Sequence, residues 1–213
     1  MLIVAAFCLP DDVVTEIQTA ISAADAACSA RAPEPVARRG WLSRSATKPV
    51  AAVLPRTSIA QWSSPHIPIV RFGNLTSADS RRVADALMTV ASAWEPATVH
   101  VAQVTWGGVD QPGSVEANLA GDVAGLGSIA RAVTSRAADL NFYLDRRLFH
   151  AGLEVAKVSE STTPEDLYAL TTSLEGFRSR PWTVDHLTLL RQTYEPGTAA
   201  YAEAYQIPFG VGT

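Results

Sequence analysis

The segment 65–73 reads PHIPIVRFG and has polar, turn-forming residues on both sides. Its β-branched and aromatic residues are typical of a buried strand that ends in a turn. Because side chains alternate along a strand, His66 and Pro68 point one way, and Ile67 and Ile69 point the other. The segment therefore predicts a strand with one core face and a second face that carries a histidine.

Each of the other three histidines also lies in a short apolar run with a strand-like pattern. A β-rich chain can place an occasional histidine on a strand face for structural reasons. The alternative is that several of these histidines meet at one site. The runs are 98–104 with His100, 149–158 with His150 and 184–190 with His186.

The composition is that of one well-buried domain or two small lobes, with 213 residues of which 47% are hydrophobic. Only 18% of the residues are charged and the net charge is -4, which argues against a nucleic-acid-coating role. Cys8 and Cys28 form neither a disulfide framework nor a metal signature, so we expect reduced thiols in a cytoplasmic protein. We also expect no metal, no other cofactor and no membrane span, and the composition leaves the oligomeric state open.

Residues 29–64 form a basic, proline-containing insertion. Six basic residues and one acidic residue give the part from 29 to 62 a net charge of +5, whereas the rest of the chain carries -9. Four prolines prevent any long helix or strand there. The insertion is predicted to be either a lid that meets phosphate or a solvated loop.

Caps and hydrophobic periodicity predict an α+β chain. The predicted order is strand, helix, strand, helix, strand, strand, helix, strand, helix, strand, strand. The clearest helix start is at Thr163, a cap followed by Pro164 at the first helical position. The strands that contain His66 and His150 hold comparable places in two halves of the chain, a pattern consistent with internal duplication. The chain is therefore predicted to have two similar halves.

Two histidines on equivalent strands suit general acid–base chemistry across a cleft. One neutral imidazole would take a proton from water or a hydroxyl group, and the other would protonate the leaving oxygen. A hydroxyl side chain two residues after each histidine would share its face and hydrogen-bond a phosphate. Phosphoester transfer by this route needs no metal.

Several short motifs carry a resemblance to a known family: LPD at 9–11, FG at 72–73, WTVD at 182–185 and PG at 196–197. With them, the sequence resembles the two-histidine (2H) phosphoesterases, specifically the bacterial 2'-5' RNA ligase and cyclic phosphodiesterase branch, whose pattern is two copies of His-apolar-Thr/Ser-apolar. The resemblance covers nearly the whole chain. It implies that residues 1–213 form a single bilobal domain, with two pseudo-symmetric halves whose antiparallel sheets surround a central cleft and whose helices lie outside. It also implies RNA ends or nucleotides with cyclic or 2'-5' phosphodiesters as ligands.

The motif positions depart from this pattern. His66 is kept, but Pro68 stands at the first Thr/Ser position and offers no hydroxyl and no N–H. In the second motif, Gly152 stands where the histidine belongs and Glu154 stands where the Thr/Ser belongs. Loss of one positioned general acid or base typically lowers the catalytic rate about 10²–10⁴-fold. We therefore expect degenerate catalysis.

Two replacements for the missing groups are conceivable. His150 lies two residues before Gly152, which leaves room for the histidine to reach toward the cleft. Alternatively, Glu154 serves as the acid if burial keeps its carboxyl protonated. The sequence HLTL at 186–189, which contains His186 and Thr188, also fits the His-apolar-Thr/Ser-apolar pattern. The residues around it, however, resemble the last strands of the family's fold, which do not normally carry the catalytic histidine.

The sequence leaves three functions open. In the first, a 2'-5' RNA ligase-like protein, degenerate in catalysis, binds a nucleotide or RNA-end phosphate in the cleft. In the second, an active metal-independent 2',3'-cyclic phosphodiesterase or 2'-5' RNA ligase uses His66 with His150 or Glu154. In the third, a non-catalytic structural or regulatory protein acts through a partner. Five further residues complete the predicted site. Arg38 and Arg39 would hold phosphate, Trp62 and Trp106 would stack a base, and Thr188 would supply a hydroxyl group.

Overall fold

The computed structural model describes residues 1–30, 57–59, 65–108, 111–145, 148–158, 163–195 and 198–210. These residues form nine strands and four helices, and every strand pair is antiparallel. The strands are β1 (Leu2–Cys8), β2 (Thr57–Ile59), β3 (His66–Asn74), β4 (Ala97–Gly108), β5 (Gln111–Gly121), β6 (Gly152–Val158), β7 (Trp182–Val184), β8 (His186–Glu195) and β9 (Thr198–Pro208). The helices are α1 (Asp11–Ala30), α2 (Ser77–Ala91), α3 (Val123–Asp139) and α4 (Pro164–Ser173).

The strands form two sheets, and helices pack against both of them. Sheet A has the strand order β3-β1-β8-β9, and sheet B has the order β2-β6-β5-β4-β7. Helix α2 packs near β9 on sheet A, α1 and α4 pack near β2 and β4 on sheet B, and α3 contacts both sheets at β3 and β4. The predicted bilobal α+β architecture is therefore confirmed. None of the helices in the described part of the chain is long and apolar enough to cross a membrane.

One continuous apolar core underlies both sheets. Phe7 on β1, Ile67 and Ile69 on β3, and Leu153 and Val155 on β6 all point into it. Burial of each large apolar side chain of this kind contributes about 1.5–3 kcal/mol. The alternation predicted for β3 is thus confirmed, and the faces of β3 and β6 that point away from the core are left for polar groups.

Local sequence signals set the helix ends. Thr76 caps α2 and Thr163 caps α4, each in a reciprocal pair of hydrogen bonds with Asp79 and Asp166, respectively. Beyond α4, Gly176 has a φ of +85°, a left-handed conformation that favours glycine. The start of α4 predicted at Thr163 is confirmed.

Two of the predicted histidine strands need correction. The sequence predicts one strand over 149–158, whereas β6 begins at Gly152, so His150 lies in the connection before the strand. The His150 ring folds back over Gly152, which a regular strand would prevent because side chains two residues apart run parallel. The strand predicted over 184–190 is in fact parts of two strands: β7 ends at Val184 in sheet B, and β8 begins at His186 in sheet A.

Candidate functional site

His66 begins β3 and lies on the face of sheet A that points away from the core. The register pairs His66 with Cys8 and pairs Pro68 with Ala6, and Ala6 also pairs with Thr188 on β8. Because directly paired residues share a face of the sheet, these side chains all lie on the same side. The structure thus places Thr188 on the face that carries the first predicted histidine.

The ring of Tyr201, on β9, reaches across this face. Its centroid lies 4.4 Å from the centroid of the His66 ring, in an edge-to-face arrangement, and Tyr201 also packs against a small buried cluster of Val4, Ala6 and Leu190. Thr188 is only 1% exposed, and its hydroxyl oxygen has no well-formed hydrogen bond with the described residues. Thr188 therefore lies on the predicted face but is covered, whereas Tyr201, which no sequence motif indicated, contacts His66 directly.

Cys8 stands beside His66 and is a free thiol. Burial raises the pKa of the Cys8 thiol above its ordinary value, the neighbouring Thr188 hydroxyl lowers it, and the Glu203 carboxylate raises it further. The thiol is the reacting group only in its thiolate form. The raised pKa of Cys8 therefore favours the protonated thiol, which is not the reacting form.

The imidazole of His150 lies over Gly152, the first residue of β6. A Cβ atom placed on Gly152 would lie 2.6 Å from His150 Nε2 and 2.7 Å from His150 Cδ2. The ring therefore fills the space that a side chain at position 152 would occupy. The sequence predicted that the missing side chain of Gly152 leaves space for His150. In the structure, the His150 ring occupies this space.

Two side chains of β5 hold the His150 ring. Nε2 of His150 lies 3.2 Å from Asn118 Oδ1 and 3.4 Å from Glu116 Oε2. Asn118 Nδ2 in turn donates a hydrogen bond of 2.8 Å to the Thr105 hydroxyl on β4. Thr105, Glu116, Asn118 and His150 are together called the His150 cluster.

The register of sheet B explains how the His150 cluster forms. Glu116 is paired with Thr105 on β4 and with Glu154 on β6, and Asn118 is paired with Gly152. All of these residues lie on the face that points away from the core. The site predicted from the sequence contained His150 and Glu154 but not Thr105, Glu116 or Asn118. In the sequence, these three residues are marked only by the alternation of polar and apolar positions along β4 and β5.

The other predicted site residues are not brought into the His150 cluster. Trp106 is 45% exposed, but it pairs with the core residue Val115 and so lies on the opposite face of sheet B from Glu116. In the described ranges no three His, Cys, Asp or Glu side chains are arranged to hold a metal ion. The remaining predicted ligand-binding residues, Arg38, Arg39 and Trp62, lie outside the described residues.

Strands β3 and β6 come next to each other where the two sheets meet. His66 begins β3 and the His150 ring covers the beginning of β6, so one histidine stands at the same end of each of these strands. Both lie on faces that point away from the shared core. Each of these two contacting strands therefore has a histidine at its first residue or just before it.

This architecture matches solved structures over the whole chain. E. coli LigT in complex with 3'-AMP gives a TM-score of 0.62 at 15% identity, with 97% of each chain covered. The chain has the LigT-like fold. TT0787 of Thermus thermophilus gives a TM-score of 0.62 at 12% identity, covering 99% of this chain and 98% of that one. A structure described as a phosphoesterase gives 0.61 at 14% identity, with 97% of each chain covered.

The resemblance predicted from the sequence is thus confirmed for the fold. No protein-family model and no curated protein matches this sequence. Within the LigT-like fold, Pro68 supplies no hydrogen-bond donor beside His66, and Glu154 supplies a carboxylate. Thr105 remains a hydroxyl donor, because its oxygen accepts the Asn118 hydrogen bond and its own proton is not used there. His66, His150 and Thr105 each carry a group that can hydrogen-bond an anion.

Proposed function

We propose that the protein binds a nucleotide or an RNA end through a phosphodiester, in the cleft of the LigT-like fold between His66 and His150. The observation that carries this proposal is the His150 ring over Gly152, because it supplies a histidine to the half of the chain whose motif lacks one. LigT itself has been crystallised with 3'-AMP, NADP+, ATP and phosphate. These ligands share a phosphate group, which supports the proposed ligand class for this chain.

The charge of the His150 cluster favours a ligand with one negative charge over a ligand with two. Glu116 keeps its carboxylate next to His150 with only 14% of its side chain exposed, and a carboxylate repels an anion more strongly when water is partly excluded. A phosphodiester carries one charge at neutral pH, whereas a terminal phosphate monoester carries about 1.5 to 2. A cyclic or 2'-5' phosphodiester therefore suits this site better than a terminal monoester.

A second candidate function is metal-independent hydrolysis of 2',3'-cyclic phosphodiesters or the related 2'-5' ligation. His66 would work with His150, or with Glu154, as the acid–base pair. The contacts of His150 Nε2 with Glu116 and Asn118 favour this candidate, because general acid–base catalysis requires an imidazole held in one orientation. The missing hydroxyl groups at positions 68 and 154 imply slow turnover, which makes binding the primary proposal.

Calorimetric titration with 2',3'-cyclic AMP tests the binding proposal, and chromatography of the same mixtures tests hydrolysis. We expect His66→Ala and His150→Ala each to weaken binding about tenfold, the factor expected for loss of one hydrogen bond to a charged group. Arg131→Ala is the control, because it removes an exposed cation from α3 outside the His150 cluster. This control should bind as the wild-type protein does.

The outcomes separate the candidate functions. Binding without turnover supports the primary proposal, and turnover that is lost in both histidine variants supports the second. Turnover that is lost only in His66→Ala indicates Glu154 as the partner. If the wild-type protein does not bind the cyclic nucleotide, or if neither histidine variant weakens binding, the proposal is refuted.

A further inference from the structure

One ring nitrogen of His150 faces two oxygen atoms at once. Nε2 lies 3.2 Å from Asn118 Oδ1 and 3.4 Å from Glu116 Oε2. An ionised carboxylate can only accept a hydrogen bond, so the nitrogen that faces it must carry a proton. The amide orientation agrees, because Asn118 Nδ2 donates to Thr105 and leaves Oδ1 toward the ring.

The second ring nitrogen, Nδ1, is then the one open to a ligand. No contact among the described residues engages it, and the His150 side chain is 59% exposed. In a neutral ring with the proton on Nε2, Nδ1 carries the lone pair and accepts a proton. In the protonated ring, Nδ1 donates a hydrogen bond to a phosphate oxygen.

The partners of His150 are well placed to hold it still. Glu116 and Asn118 stand two residues apart on β5, which is bordered by β4 and β6 on its two sides. Thr105 anchors the Asn118 amide from β4 with a hydrogen bond of 2.8 Å. The orientation of the ring is therefore set by a central strand and not by the connection that carries His150.

We propose that Glu116 and Asn118 are positioning residues that keep the proton of His150 on Nε2, so that Nδ1 is the atom that meets the phosphodiester. The identity of the ligand rests on the proposed function, whereas the position of the proton does not. The two parts can therefore be tested separately in one set of spectra.

The test uses the full chain labelled with ¹⁵N-histidine. Long-range ¹H–¹⁵N spectra distinguish protonated from unprotonated ring nitrogens, and His150→Gln identifies the signals of His150. We expect a protonated Nε2 and an unprotonated Nδ1 in the neutral ring of the wild-type protein. The double variant Glu116→Ala/Asn118→Ala should lower the ratio of the Nε2–H to the Nδ1–H form about tenfold, as expected for loss of a charged hydrogen bond.

Two further variants sharpen the interpretation. Glu116→Gln keeps an acceptor oxygen beside the ring and should retain most of the wild-type ratio. Glu175→Ala removes an exposed carboxylate beyond α4 and should leave the ratio unchanged. A merely structural role for Glu116 would change stability in the alanine variant without moving the proton on the ring.

Addition of 2',3'-cyclic AMP to the labelled protein tests the choice of atom. The Nδ1 signal should move more than the Nε2 signal, and a larger shift of Nε2 would overturn the assignment of Nδ1. A proton on Nδ1 in the wild-type protein, or an unchanged ratio in the double variant, would overturn the positioning role. If the proton is on Nε2 as expected but neither signal moves with the nucleotide, the positioning role is supported and the proposed ligand is refuted.

Discussion

Gly152→Ala places a methyl group where the His150 ring now lies. The new Cβ atom would be 2.6 Å from Nε2 and 2.7 Å from Cδ2 of the ring, and 3.4 Å from Asn118 Oδ1. The two closest atoms belong to the end of an exposed side chain, so the ring moves and the strand backbone stays in place. The ring then loses its contacts with Glu116 and Asn118.

The expected change in stability is small because two effects oppose each other. Loss of the hydrogen bond at the His150 ring costs about 0.5–1.5 kcal/mol. Alanine in place of glycine within a strand stabilises the folded chain by about 0.5–1 kcal/mol. The free energy of unfolding should therefore change by less than about 1 kcal/mol, whereas affinity for 2',3'-cyclic AMP should fall to that of His150→Ala.

Urea unfolding measures the first quantity and calorimetric titration measures the second. Gly127→Ala in α3 is a matched control, because its Cβ atom would lie 3.5 Å from Arg131 Nη1, an ordinary contact. This control should gain about 0.5–1 kcal/mol of stability and keep its affinity. The reasoning is refuted if Gly152→Ala binds like the wild-type protein, or if it loses more than about 3 kcal/mol of stability, the cost of disturbing the backbone or core.

Three further changes have defined outcomes. Gly121→Ala should lower the free energy of unfolding by about 2–4 kcal/mol in urea, because Gly121 has a φ of +99° and its Cβ atom would lie 2.5 Å from the carbonyl oxygen of Thr98; an unchanged urea midpoint would contradict this. Because the pKa of Cys8 is raised in the folded protein, the thiol of the unfolded chain ionises first as the pH rises, and the free energy of unfolding falls above the ordinary thiol pKa. Urea midpoints measured at pH about 7 and about 10 should show this fall in the wild-type protein. The variant Cys8→Ala should not show it. For an enzyme that uses His66 and His150, Pro68→Thr/Glu154→Thr introduces both hydroxyl groups of the family pattern, removes a carboxylate and should raise hydrolysis of 2',3'-cyclic AMP about tenfold. An equal rate would mean that these groups do not limit turnover, and a lower rate would indicate that Glu154 is the acid.

Elements with local signals could be predicted from the sequence. The caps at Thr76 and Thr163 and the stop at Gly176 depend on residues within one or two turns of the helix end. The alternation of Ile67 and Ile69 with His66 and Pro68 likewise indicates which face of β3 points into the core. Such features need no knowledge of the partner strands.

The His150 cluster depends on long-range pairing and could not be predicted in the same way. Asn118 precedes Gly152 by more than thirty positions in the chain, and their contact exists only because of the register of β5 against β6. The placement of His150 was wrong for a related reason. An apolar run does not reveal where a strand begins, and here the ring gains contacts with β5 by leaving the strand geometry.

The pairing of β1 has a consequence for the order in which a newly made chain folds. This strand lies between β3 and β8, so one of its edges bonds to residues such as Thr188 and Arg191, which follow all the strands of sheet B in the chain. Sheet B and its helices, in contrast, are complete once Val184 has been added. We therefore expect sheet A to close after sheet B, with one edge of β1 open to chaperones or to other nascent chains during the interval.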